Sequence, residues 1–214
     1  LLLSEKVCIF ALRMNNDLNR EAKWSENVVL VDADYVDSVA FNLIVNFERM
    51  IGRRIPQADI AKWLDCIALD GGIRDGENEI QVILIHQKDK QQMDNFLPGN
   101  YANDLSEKAF KDHLGEFTIN AYQAEGFAKT GDFFNEVLEL VLVQKNIKRL
   151  MVIPNAEDSS IYNKVREALR RADDDDKRIT VFTMQPAAGG NYRQEILGYS
   201  LMAALGIKAD EIKD

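Results

Sequence analysis

Four aliphatic residues without a polar interruption, Val28-Val29-Leu30-Val31, run straight into a carboxylate, Asp32. A strand covered on both faces reads this way, because a half-exposed strand would alternate. The same kind of run recurs over residues 80–85 and 150–153, a more clearly alternating one spans 117–122, and a last one covers 179–183. Between them the apolar spacing turns helical. Ser38 can cap a helix through Gly52, with Val39, Leu43, Phe47 and Met50 on one side. Pro56 and Gln57 open a second helix over 58–69, which the Gly71-Gly72 pair ends. A third covers 132–146, apolar at Phe133, Val137, Leu140 and Val141; Ser159 or Ser160 caps a fourth through Arg171; a fifth closes the chain over 192–205.

Strands that alternate with helices predict an α/β fold of three layers, a mostly parallel central sheet of about five strands with helices on both faces and Asp32 in its middle. Residues 27–214 read as one domain. Residues 1–26 read as an N-terminal extension, and residues 86–116 as a polar insertion around Pro98-Gly99-Asn100 with a short helix near 105–113. Met14, ahead of Asn15, Asn16 and Asp17, is a candidate natural start, so residues 1–13 carry little of the reading.

Composition narrows the class. A hydrophobic fraction of 46% with 29% charged residues is that of a globular protein and excludes a fibre or a disordered chain. No apolar run reaches the roughly 18 residues that span a bilayer, and Leu1 to Leu3 is too short for a signal-peptide core, so a soluble cytoplasmic protein is expected. Cys8 and Cys66 sit in apolar surroundings and read as reduced core residues. The formal charge of −9 argues against broad, sequence-independent nucleic-acid binding, although a local basic patch can survive in an acidic protein. The compact basic groups are Arg49, Arg53 and Arg54, and later the stretch from Lys164 to Arg171.

In a parallel sheet the loops behind the C-terminal strand ends form the binding crevice. Asp32 and Asp34 end the first central strand, Glu157 and Asp158 follow the strand at 150–153, and Asp132 opens the helix after the strand at 117–122. Carboxylates from three such places can converge on a hard divalent cation, which needs only one or two of them beside phosphate oxygens. Each acid taken singly also suits a helix N-terminus, where it caps and meets the macrodipole. Asp32 is the exception, since a charge directly after four apolar residues is desolvated unless something compensates it. The two histidines, His86 and His113, are too few for a zinc site and read as ordinary polar residues. Gly71-Gly72 and Gly189-Gly190 are turns, and Asp173 to Asp176 is a solvated one.

Three segments in order carry a family resemblance: Val31-Asp32-Ala33-Asp34 closing a strand, Lys129-Thr130-Gly131-Asp132 opening a helix, and Val152-Ile153-Pro154-Asn155-Ala156-Glu157-Asp158 closing another strand. This resembles the NYN/PIN-like nucleases over roughly residues 27–185. The resemblance implies RNA phosphodiester cleavage by Mg or Mn, with Asp32, Asp132 and Asp158 as catalytic residues and Asp34 and Glu157 completing the metal ligands. Single-stranded or structured RNA would be the partner. The chain departs from the pattern at Pro154-Asn155, where the family has Ser-Gly, at Ala156, where it has Asp, and at Tyr35, where it often has Asn. A non-catalytic interaction protein on the same scaffold, bound to a protein partner or to a second copy of itself, therefore stays open. Asp32-Ala33-Asp34 also resembles the Asp-x-Asp of haloacid-dehalogenase-like phosphatases, but those insert a hairpin flap where a helix is expected here, and they carry Ser or Thr where His86 stands.

Overall fold

The computed structural model describes residues 24–124, 130–172, 177–187 and 190–212. The extension before Trp24, Cys8, Lys129, Asp173 to Asp176 and Gly189 lie outside the described residues. Along the chain come β1 (Asn27–Asp32), α1 (Ala33–Ile51), β2 (Ala58–Asp59), α2 (Ile60–Asp70), β3 (Asn78–His86), β4 (Phe96–Leu97), a π-helical turn (Tyr101–Leu105), β5 (Lys108–Lys111) and β6 (Gly115–Gln123). Then follow α3 (Thr130–Leu142), β7 (Arg149–Ile153), α4 (Ser159–Arg171), β8 (Arg178–Thr183), β9 (Arg193–Ile196), α5 (Leu197–Ala204) and a 3-10 turn (Ala209–Glu211).

The expected sheet of about five strands is overturned. The main sheet has seven strands in the order β5-β6-β3-β1-β7-β8-β9, it is mixed because β5 runs antiparallel to β6, and β2 with β4 makes a second, two-stranded sheet. Three segments account for the difference. Residues 105–113, expected as a helix, hold β5 instead: Asp112 Oδ1 accepts the Leu114 and Gly115 N–H groups and turns the chain back, and Phe110 stacks on Phe117 at 4.6 Å. The start of the expected closing helix is β9, where Arg193 and Glu195, two apart on one side of the strand, pair with each other. Ala58 and Asp59, expected inside a helix, pair with Phe96 and Leu97, and α2 begins only after Asp59 accepts the Lys62 N–H.

Two cores cover the two faces of the sheet. Val29 and Val31 point into one with α1, α2 and α5; Val28 and Leu30 point into the other with α3, α4 and Trp24. This period-two split within one apolar run is what a doubly covered strand requires. α1 starts five residues earlier than Ser38, because Asp32 takes the capping role, and it ends at Gly52, whose φ of 74° is the left-handed conformation glycine adopts freely. Met50, put on the apolar side by its spacing, is exposed, and Ile51 packs there instead. Cys66 is a half-buried free thiol on α2. Among the described residues no helix is long and apolar enough to cross a membrane.

From β1 the chain lays strands outward on one side to β3 and β6, then crosses back to place β7, β8 and β9 on the other. The crossing helix α3 is fastened at its C-terminal end by Lys177, a buried lysine whose Nζ donates to the carbonyls of Val141, Leu142 and Gln144 at 3.3, 2.7 and 2.9 Å. Those are the orphan acceptors of a helix end, and a buried cation there also meets the negative end of the helix dipole. Lys177→Met is expected to lower unfolding free energy by about 2 kcal/mol in urea denaturation, the scale of a charged hydrogen-bond set. A change within a few tenths of a kcal/mol would show that the helix end finds other partners.

Candidate functional site at the strand ends

The crevice lies where the strand order reverses, at the C-terminal ends of β1 and β7. A cavity of about 1030 Å³ opens there. Asp32, Asp34, Tyr35 and Ser38 line it from the end of β1 and the start of α1; Gln87, Lys88 and Asp89 from the exit of β3; Ala124 from the exit of β6; Thr130 and Gly131 from the start of α3; and Asn155, Glu157, Asp158, Ser159 and Ile161 from the exit of β7 into α4. Gly131 is needed for this closeness, since a Cβ on it would meet the Ile161 side chain at 2.5 Å.

Each acid sits in a different environment. Asp32 is 3% exposed, and its Oδ1 accepts the Tyr35 N–H at 3.0 Å as the cap of α1. Burial, with the charge of Asp34 adding to it, pushes the Asp32 carboxyl up to about 7 against the opposing pull of that N–H and of Lys90. Asp34 Oδ2 accepts the Gln87 N–H at 2.8 Å and the Thr130 hydroxyl at 3.2 Å, which ties α1 to β3 and α3, while its Oδ1 is buried without a hydrogen bond. Asp158 caps α4 through the Ser160 and Ile161 N–H groups. Asn155 Oδ1 takes the N–H groups of Glu157 and Asp158 and so shapes the turn that presents them.

Four of the five expected acids, Asp32, Asp34, Glu157 and Asp158, thus line one cavity. Asp132 does not line it, and its carboxylate is held 2.6 Å from Lys164 of α4. Among the described residues no group of three or more Asp, Glu, His or Cys side chains is arranged to hold a metal ion. The donors present fit a looser arrangement, in which one or two carboxylates share a hard cation with a ligand's own oxygens. Of the basic groups picked from the sequence, none lines the cavity, and three are paired with acids: Arg53 with Glu211, Lys164 with Asp132, and Arg171 with Glu139.

Lys90, Asp37 and Tyr101 lie near these acids and were not picked from the sequence as site residues. Lys90 follows β3 at a strand end, where the topology puts ligands, and Asp37 stands three residues after Asp34 on one helix face, so both had a readable signal. Tyr101 had none, because only the fold of the segment after β3 brings it to the first turns of α1. His86 is buried, its ring stacked on Tyr101 at 3.8 Å, and burial holds its imidazole below the usual range.

The raised carboxyl of Asp32 fixes a sign. The folded chain holds this proton more tightly than the unfolded chain, so the stability it contributes is present at low pH and is lost as pH rises from 3.8 to about 7. Asp65, raised by burial and by Asp112 beside it, adds in the same direction. Asp32→Asn keeps a cap and removes the desolvated charge, so it is expected to flatten that slope and to raise stability at pH 8 by at most about 4 kcal/mol. Thermal unfolding of both proteins across this range would show it, and a variant less stable at pH 8 with an unchanged slope would contradict it.

No curated protein matches the chain, and no solved structure matches it. A family described as one of unknown function (DUF6621) matches residues 21–212, which include all of the cavity-lining residues, and the chain belongs to that family.

Proposed function

We propose that the crevice cleaves RNA phosphodiesters with Mg or Mn, on the plan of the NYN/PIN-like nucleases, in the cytoplasm. The observation that carries this reading is the delivery of four carboxylates to one cavity by two neighbouring parallel strands, one of them, Asp32, buried and kept near neutrality in its titration. Strongly shifted acids in a cleft mark sites of chemistry more often than of plain structure. A divalent cation bound there with a substrate phosphate would acidify water and offset charge on the phosphoryl oxygens.

The chain's own groups do the rest. Asp32, held by the Tyr35 N–H, presents its carboxylate in a fixed direction at the centre of the sheet. Glu157 and Asp158 face it from the β7 side, and the exposed Glu157 has no fold-keeping bond to give up. The start of α3 at Thr130 brings the positive end of a helix dipole to the cavity, and Lys88 adds a full charge at its mouth, so a phosphate meets attraction there despite the acidic surroundings. α1 begins at Ala33, directly after Asp32, which leaves no length for a phosphatase flap. The free thiol of Cys66 suits a reducing compartment.

One observation favours a second reading, an interaction protein without activity: most of the acids already have protein partners, with Asp158 and Asp32 as caps and Asp132 on Lys164. Cleavage of a labelled single-stranded RNA in Mn or Mg separates the two. The nuclease reading expects slow cleavage, lost in Asp32→Asn by more than the roughly 10–100-fold that outer-shell changes cost, and little changed in Asp132→Asn. It also expects no phosphomonoesterase activity and no aspartyl-phosphate on Asp32. A titration of either metal without heat, with no cleavage and with a protein captured through residues 86–116, would favour the interaction protein.

A further inference from the structure

The carboxylates at the start of α1 face two ways. Asp34 turns Oδ2 to the cavity, while its Oδ1, on the other side, is closed off from solvent and accepts no hydrogen bond. Asp37, one turn along on the same helix face, is buried, and its Oδ1 accepts the backbone N–H and the side-chain amide of Asn95. Its Oδ2 is left facing Lys90. The Lys90 Nζ stands 3.8 Å from Asp34 Oδ1 and 3.7 Å from Asp37 Oδ2, near enough for attraction and too far for good hydrogen bonds to either.

A third oxygen lies near these acids. Tyr101 is 4% exposed, its hydroxyl has no partner, and the charges it feels are those of Asp34, Asp37, Asp32 and Asp94. Its ring is fixed by the stack on His86, so the hydroxyl cannot turn away to find water. Buried oxygens without donors are costly, and the ammonium between Asp34 and Asp37 bonds closely to neither carboxylate. An all-oxygen set with two carboxylates is what a hard divalent cation takes, at distances far shorter than those Lys90 keeps.

We propose that Lys90 is a built-in stand-in for a divalent cation such as Ca²⁺ or Mn²⁺, and that the pocket of Asp34 Oδ1, Asp37 Oδ2 and the Tyr101 hydroxyl binds that cation when the Lys90 side chain leaves. The side chain is 35% exposed, so its way out to solvent is open. The pocket does not depend on the RNA reading, because Asp37, Lys90 and Tyr101 do not line the cavity.

The test uses the full chain with Mn²⁺ or Ca²⁺ alone as probe. Lys90→Met is expected to unfold at a lower temperature than the parent without divalent cation, to regain stability at millimolar cation, and to bind Mn²⁺ in calorimetry at least roughly tenfold more tightly than the parent. Lys90→Arg keeps the charge and should behave as the parent. Asp37→Asn added to Lys90→Met should abolish the gain, and Asp158→Asn added to it should leave the gain intact. Loss of the gain with Asp158→Asn but not with Asp37→Asn would put the cation in the cavity and overturn the proposal, as would Mn²⁺ affinity in Lys90→Met no greater than in the parent. If Lys90→Met is insoluble alone, recovery when it is purified with Ca²⁺ is the expected result, and failure to recover it overturns the proposal. RNA cleavage by the parent with no change in cation affinity on losing Lys90 would sink this pocket and leave the nuclease reading standing; the reverse pattern would do the opposite.

Discussion

A strand buried on both faces has to end somewhere, and here it ends on a charge. β1 is covered by both cores, so its last residue leaves the sheet with little access to water, and Asp32 is 3% exposed. The chain answers by starting a helix at once and letting that carboxylate serve as its cap. One N–H does not replace the water lost, which is why the carboxyl holds a proton up to about pH 7. The placement of α1, the direction of Asp34 and Asp37, and the opening between β1 and β7 all follow from that single turn of chain.

How far the molecule could be read from its sequence depended on whether a signal was local. The five longest parallel strands announced themselves by apolar runs or, for β6, by alternation, and Gly52 announced the end of α1. β5 and β9 did not. Each is four residues long and mixes charged with apolar side chains, and each exists because a neighbouring strand supplies hydrogen bonds, through the tight turn at Asp112 for one and the β8 edge for the other. Propensity has no access to such partners. The start of α1 was misplaced for a related reason: Asp32 belongs to a strand by pattern and to a helix by its side chain, and only the backbone turn resolves the two.

The candidate site divides the same way. Strand ends are legible, so Asp32, Asp34, Glu157 and Asp158 could be placed together before any geometry was known. Asp132 could not be sorted from them, because the first turn of α3 faces both the cavity and α4, and the residue two positions from Thr130 falls on the α4 side, against Lys164. What the alternation of strand and helix cannot show is how an irregular segment folds back. The stretch between β3 and β5 brings Lys90, Asn95 and Tyr101 to α1, and it does so through short bridges and a π-helical turn.

The capping role of Asp32 bears on how this family should be surveyed. A residue that caps a helix is retained for folding whether or not it takes part in any chemistry, so finding an acid at its position in a relative says little about what that relative does. Glu157 is the better informant. It is exposed, it lies on the cavity, and the fold asks nothing of its side chain, so only use would keep it acidic over long descent. A relative with Asp32 kept and Glu157 drifting would share the fold and say nothing of the cavity.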